Sequence, residues 1–203
     1  MVHNKIIFLD IDGVVNIPNY QTFDGACLEN LYDIIRKTGA KIIVSSSWRT
    51  GNLEKTKATL EESGFAKDML QEIIGETVRN WDFVKDKSYL KLIRGNEVGT
   101  WIDRNLIYPW HDNPDMDAMY RVNNEDGSFK IMNSNKTGVH FSYVILDDDT
   151  DFLLCQKDYF VNTDGIVGLT KQDAAKAIEI LNKIDDVTKS QPKTKYTNRT
   201  TND

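Results

Sequence analysis

Three short apolar runs, each closed by a polar cluster, constrain this chain more than any other feature. Ile6-Ile7-Phe8-Leu9 ends on Asp10-Ile11-Asp12-Gly13, Ile42-Ile43-Val44 on Ser45-Ser46-Ser47-Trp48-Arg49, and Tyr143-Val144-Ile145-Leu146 on Asp147-Asp148-Asp149-Thr150-Asp151. An apolar run without polar alternation reads as a strand buried on both faces, the pattern of a parallel sheet. In open α/β sheets, ligands gather at the carboxyl ends of such strands. The three clusters are therefore expected on one edge of one sheet.

The intervening segments fit that reading. A helix is expected from about Ala26 to Lys37, with Leu28, Leu31, Ile34 and Ile35 at helical spacing and Gly39 as its stop. Together with the strands on either side it makes a βαβ unit, whose crossover is right-handed almost without exception. A second helix is expected from about Leu53 to Ser63, capped by Asn52 and stopped at Gly64, with a short strand around Glu72 to Glu76. Ser88 is a candidate cap for a helix through roughly Asp103 that carries Leu90, Ile93, Glu97, Val98 and Trp101 near one face and Arg94 beside it. Phe160-Val161 reads as a last short strand. Thr170-Lys171-Gln172-Asp173 reads as a capping box before a helix to about Ile184.

Regular alternation stops from Arg104 to His140. There Tyr120-Arg121-Val122 and Ser128 to Met132, joined by a polar turn, read as an inserted β-hairpin. The expected organisation is one doubly wound, mainly parallel α/β domain over residues 1–187, with this insertion at about 104–140. The last sixteen residues, 188–203, carry four basic residues against one acid and no apolar period, and read as a disordered tail able to make a weak nucleic-acid contact.

At 203 residues with 40% hydrophobic content the chain is long enough for one substantial core. No run of about 18 apolar residues and no signal-peptide pattern occur, so the expected location is the cytoplasm, with no membrane partner. Two cysteines, Cys27 and Cys155, make neither a disulfide framework nor a metal knuckle, and are expected to be inert thiols in or near the core. The net charge of −6 argues against wholesale coating of nucleic acid.

Separated aspartates, hydroxyls and a few cations at one sheet edge suit Mg²⁺, a small hard cation that takes one or two carboxylates and keeps the rest of its octahedron for water and substrate phosphate. Within such a site Asp10 and Asp12 can divide the labour. A carboxylate held by Mg²⁺ and a nearby cation stays ionised and can attack phosphorus, while one among other anions is pushed toward its protonated form and can protonate the leaving oxygen. Ser45 and the amides of Ser46 and Ser47 can hold phosphoryl oxygens, helped by Arg49.

Over roughly residues 5–185 the sequence resembles the haloacid dehalogenase-like (HAD) hydrolases, whose four motifs occur in order. The first, a strand followed by Asp-x-Asp-Gly, matches Phe8-Leu9-Asp10-Ile11-Asp12-Gly13-Val14. The resemblance implies a Rossmann-like core and an Mg²⁺-dependent phosphatase acting through an aspartyl-phosphate. By it Asp10 is the nucleophile, and Asp12 is the general acid/base whose backbone carbonyl also binds Mg²⁺. Ser45 matches the second motif. Asp147 and Asp148 match the fourth and are implied as metal ligands, with Asp151 at a spacing that some members use. For the basic residue of the third motif the chain offers Lys91 and Arg94, of which Arg94 is preferred. Ser46-Ser47-Trp48-Arg49, Arg94-Gly95-Asn96-Glu97-Val98 and Val167-Gly168-Leu169-Thr170 look like the branch found in nucleic-acid repair proteins, including the phosphatase half of phage polynucleotide kinase.

That branch implies a phosphate monoester on a nucleotide or a nucleic-acid end as substrate, and Tyr108, Trp110, Tyr120 and Phe129 of the insertion are candidate stacking residues. The alternatives are a phosphatase for a small non-nucleotide metabolite, or a catalytically silent protein of the same fold that holds a phosphorylated ligand. Trp110 to Asp117 reads as an exposed acidic loop rather than a second metal site. Asn162-Thr163-Asp164-Gly165 reads as a turn. The histidines, His3, His111 and His140, form no nucleophile-base pattern with a serine.

Overall fold

The strand β1, Asn4–Leu9, is apolar toward both sides because both sides are covered. Ile7 and Leu9 point into one hydrophobic cluster, Ile6 and Phe8 into another on the opposite face of the sheet. The computed structural model describes residues 4–18, 23–78, 93–102 and 141–183. Among these, five parallel strands run in the order β3-β2-β1-β4-β5. They are β1, β2 (Lys41–Val44), β3 (Ile73–Glu76), β4 (Phe141–Asp147) and β5 (Phe160–Asn162).

Helices cover the two faces unequally. On the larger face α1 (Gly25–Thr38) buries Cys27, Leu31, Ile34 and Ile35. It lies with α2 (Leu53–Glu62), the short α3 (Lys67–Leu70) and the last helix α5 (Lys171–Asn182) against Ile7, Leu9, Ile42, Val44, Val144 and Leu146. On the other face α4 (Arg94–Ile102) sets Val98 and Ile102 on Ile6, Phe8, Ile43 and Ile145. There Phe8 meets Trp101 and Tyr143 edge-on, with ring centroids 5.5 and 5.9 Å apart. The result is the doubly wound α/β sheet expected, with Asp10 at the tip of the central strand between the strands leading to Ser45 and Asp147.

The helix caps follow local chemistry. The Asp24 side chain accepts from the Cys27 amide and starts α1, and Asn52 accepts from the amides of Glu54 and Lys55 at α2. Thr170 and Asp173 form the reciprocal box at α5. Among the described residues α4 begins at Arg94, and Ser88, its expected cap, lies outside them. The Asp151 carboxylate, from across the fold, accepts from the Arg94 amide at 3.1 Å. Two elements were not expected, α3 and a 3-10 helix at Leu154–Tyr159. Cys27 is buried as expected, but Cys155 lies on that 3-10 helix and is exposed. The inserted hairpin, the stacking aromatics, the acidic loop, Lys91, the three histidines and the basic tail lie outside the described residues.

Among the described residues no helix is long and apolar enough to cross a membrane.

Candidate active site

The sheet places its acids by register. Leu9 pairs with Val44 on one side and Leu146 on the other, so Asp10, Ser45 and Asp147 leave the sheet at the same level. The ladder continues one step past the strands, with the Asp10 amide donating to the Leu146 carbonyl at 2.9 Å and the Ser45 amide to the Leu9 carbonyl at 2.8 Å. Asp10, Ser45 and Asp147 are 5%, 1% and 1% exposed, which puts two carboxylates where water is scarce.

Arg94 answers that charge. From the first turn of α4 its Nη1 lies 3.0 Å from Asp10 Oδ1 and 3.0 Å from Asp147 Oδ2, and it donates to the Ser45 carbonyl at 2.8 Å. A buried carboxylate beside a guanidinium stays ionised far more readily than one alone. Here burial still dominates. It pushes the Asp10 carboxyl above its usual range, against the pull of the Arg94 charge, the Ser46 hydroxyl and the Ile11 amide. Asp147 is pushed up to about 8 by burial and by the neighbouring Asp10 charge, with Arg94 pulling the other way.

This pocket of negative charge fits a divalent cation. Asp10, Asp147 and Asp148 each offer an oxygen, all within 4.8 Å of one another. Asp10 Oδ1 is buried and accepts no hydrogen bond, which leaves a lone pair for a further cation beside Arg94. Asp148 is placed by backbone shape. Gly13, at φ +73°, and Gly165 lie so close to its carboxylate that a Cβ at either position would sit 2.3 or 2.5 Å from a carboxylate oxygen. The Asn162 side chain fixes the chain at this point by donating to the carbonyls of Asp147 and Asp148.

Asp151 takes no part in that group of three. Its Oδ2 caps α4 at Arg94, which places it behind the basic residue. Asp12, expected as acid/base, is exposed, and its carboxylate accepts from Asn16 Nδ2 at 2.8 Å, from Trp48 Nε1 at 3.0 Å to each oxygen, and from Ser47 Oγ at 3.3 Å. The Ser47 hydroxyl therefore turns to Asp12.

Arg49, expected as a phosphate contact, is built into the scaffold instead. It is 7% exposed, and all three guanidinium nitrogens meet protein acceptors: Nε the Ser46 carbonyl at 2.6 Å, Nη1 the carbonyl and hydroxyl of Thr77, and Nη2 the Glu97 carboxylate at 2.8 Å. The loop after β2, the end of β3 and α4 are joined through this one side chain. Gly95 lets α4 press on the opposite neighbour, since a Cβ there would lie 2.6 Å from the Leu153 amide. Gln156 fills that contact by donating to the Gly95 carbonyl. Sequence reasoning did not assign Thr77, Gln156, Asn16 or the Glu97 pairing. Of these only Asn16, in the turn that follows Asp-x-Asp-Gly, carries a local signal. The turn expected at Asn162 to Gly165 lies later in the chain: Asn162 closes β5, and the turn runs from Asp164 to Gly168, with Asp164 Oδ1 accepting from the Ile166 amide at 2.8 Å.

A parallel α/β core whose central strand ends in Asp-x-Asp, with a hydroxyl, a basic residue and a further acid pair on the adjoining elements, has the architecture of the HAD class. A family model described as "HAD domain in Swiss Army Knife RNA repair proteins" matches residues 6–113, more than half of the chain. The chain belongs to that family. The match takes in Asp10, Asp12, Ser45 and Arg94, and it ends before Asp147 and Asp148. Neither the curated proteins nor the solved structures contain a match.

Proposed function

We propose that the protein is an Mg²⁺-dependent phosphatase that removes a phosphate monoester from a nucleotide or a nucleic-acid end, RNA ends first. The observation that carries this reading is Arg94 set between Asp10 and Asp147, with Asp148 completing a three-carboxylate group. The family's association with RNA repair supports the substrate class.

Asp10, Asp147 and Asp148 would hold the ion, together with the Asp12 backbone carbonyl. Bound there, Mg²⁺ would supply positive charge to offset that of the phosphate. The chain's own residues do the rest. An Asp10 oxygen attacks phosphorus, the bond from phosphorus to the leaving oxygen breaks as the Asp10–phosphorus bond forms, and Asp12 delivers a proton to the departing oxygen. Water then attacks phosphorus and gives a proton to Asp12, and the Asp10–phosphorus bond breaks to release inorganic phosphate. Arg94 holds Asp10 in line and meets charge that builds on the phosphoryl group. Ser45 and the amides of Ser46 and Ser47 serve as donors to phosphoryl oxygens, the role expected for them.

The test is phosphate release from mononucleotides and from 3′- and 5′-phosphorylated oligonucleotides, with and without Mg²⁺. Turnover that requires Mg²⁺ and disappears in Asp10→Asn supports the reading, and a salt-sensitive preference for oligonucleotides supports end processing. No turnover of any monoester would sink it.

A further inference from the structure

The Asp12 carboxylate is held by neutral side chains alone among the described residues, and one of them is an indole. Trp48 comes from the loop after β2, with its ring half-buried and its centroid 5.6 Å from that of Phe23, and its Nε1–H lies 3.0 Å from both Asp12 oxygens. Asn16 Nδ2 is 2.8 Å from Oδ1 and Ser47 Oγ 3.3 Å from Oδ2. Asn16 is itself fixed by main chain, its carbonyl accepting from the Gly13 amide at 2.7 Å.

We infer that Trp48 is the positioning residue for proton transfer by Asp12, with Asn16 as its second support. The inference rests on the reaction proposed above. An indole N–H donates and never accepts, whereas a hydroxyl does both. Ser47, the longest contact, can turn a lone pair toward Asp12 once it carries a proton. Trp48 cannot reverse, so its hydrogen bond and the packed ring behind it fix the carboxyl direction in both protonation states. General acid catalysis needs the proton within hydrogen-bond reach of the departing oxygen, and a rigid ring anchored on Phe23 supplies that constraint. Trp48 acts through Asp12.

The readout is leaving-group dependence, which loss of stability alone would not change. An aryl phosphate such as p-nitrophenyl phosphate expels a leaving group that needs little protonation, while a ribose phosphate expels an alkoxide that needs it fully. Single-turnover release of the leaving group is measured for both substrates in wild type, Trp48→Phe, Asn16→Ala and Asp10→Asn, with thermal melting of each. Trp48→Phe keeps the ring and removes the N–H. The ratio of alkyl to aryl rates is expected to fall about tenfold, the order expected for one hydrogen bond to a charged group. Asn16→Ala should lower the ratio in the same direction, which covers the case in which Trp48→Phe fails to fold. An unchanged or raised ratio in a folded variant overturns the role given to Trp48 and leaves the phosphatase standing. A wild-type protein that forms no hydroxylamine-sensitive phosphoenzyme, or an Asp10→Asn variant that still forms one, overturns both.

Discussion

Asp10 and Asp12 are two residues apart and live in opposite surroundings. Asp10 closes the central strand, is buried, and faces a guanidinium and a second buried carboxylate. Asp12 is exposed on the turn that follows and is held by an amide, an indole and a hydroxyl. At Asp10 a full positive charge pulls toward the anion against burial, whereas at Asp12 neutral donors set the direction of the carboxylate. The chemistry wanted of a nucleophile and of a proton carrier differs in just this way.

The comparison breaks if the two residues prove interchangeable. Asp10→Asn is expected to lower kcat by at least about 10³-fold, because removing a nucleophile removes the covalent route. Hydroxylamine-sensitive labelling by substrate should vanish with it. Residual turnover close to wild type would show that the buried carboxylate is structural. Arg94→Met comes next. It leaves Asp10 and Asp147 without their cation, with an expected stability loss of about 3–5 kcal/mol as for other broken buried pairs, and a fall in kcat on the order of 10²-fold. Denaturant unfolding with and without Mg²⁺ reads the first effect and steady-state kinetics the second. Arg94→Lys should recover part of each, since it keeps the charge and loses the planar fork that spans two carboxylates and a carbonyl.

Arg49 sharpens the contrast from the scaffold side. Both it and Glu97 are buried, 7% and 9% exposed, and their ion pair joins the loop bearing Trp48 to the helix bearing Arg94. Arg49→Met should destabilise by about 3 kcal/mol by breaking the buried ion pair and the hydrogen bonds to Ser46 and Thr77. The Arg49→Met/Glu97→Leu double variant should recover most of that loss in a double-mutant cycle. Activity in the double variant should stay within about tenfold of wild type. A loss as large as that of Arg94→Met would return Arg49 to the phosphate site expected from its sequence context.

Much of this arrangement was legible in the sequence because a parallel sheet writes its strands as unbroken apolar runs. Asp10, Ser45 and Asp147 stand at the ends of three such runs, and strand register carries them to one level. Side chains that act across the fold left no such trace. Arg49 beside a polar cluster looks like a phosphate ligand until Glu97 and Thr77 are seen to enclose it. Asp151 looks like one more acid of a metal motif until it is found capping α4. Trp48 and Asp12 stand in clusters expected at the same sheet edge, but nothing in the sequence predicts that the indole N–H meets that carboxylate. Cys155 reads as near-core from its apolar neighbours, yet the 3-10 helix turns it outward.

A last expected effect concerns the buried carboxylates Asp147 and Asp10 when no divalent ion is bound. Asp147 takes up protons near pH 8 in the folded protein and near the ordinary value of 3.8 when unfolded. Between those values the native state binds more protons than the unfolded chain, so stability falls as pH rises. The contribution is fully present below 3.8 and lost as pH passes through about 8, and Asp10 is shifted in the same direction. Metal-free protein should therefore melt at a lower temperature at pH 8.5 than at pH 5.5, with a slope that Asp147→Asn flattens. Near this chain length each kcal/mol is worth about 2–4 °C, so calorimetry at close pH intervals resolves it. Mg²⁺ favours the ionised carboxylates, and its stabilising increment should grow over the same interval in wild type and shrink in Asp147→Asn. An increment independent of pH in both proteins would place the ion away from Asp147.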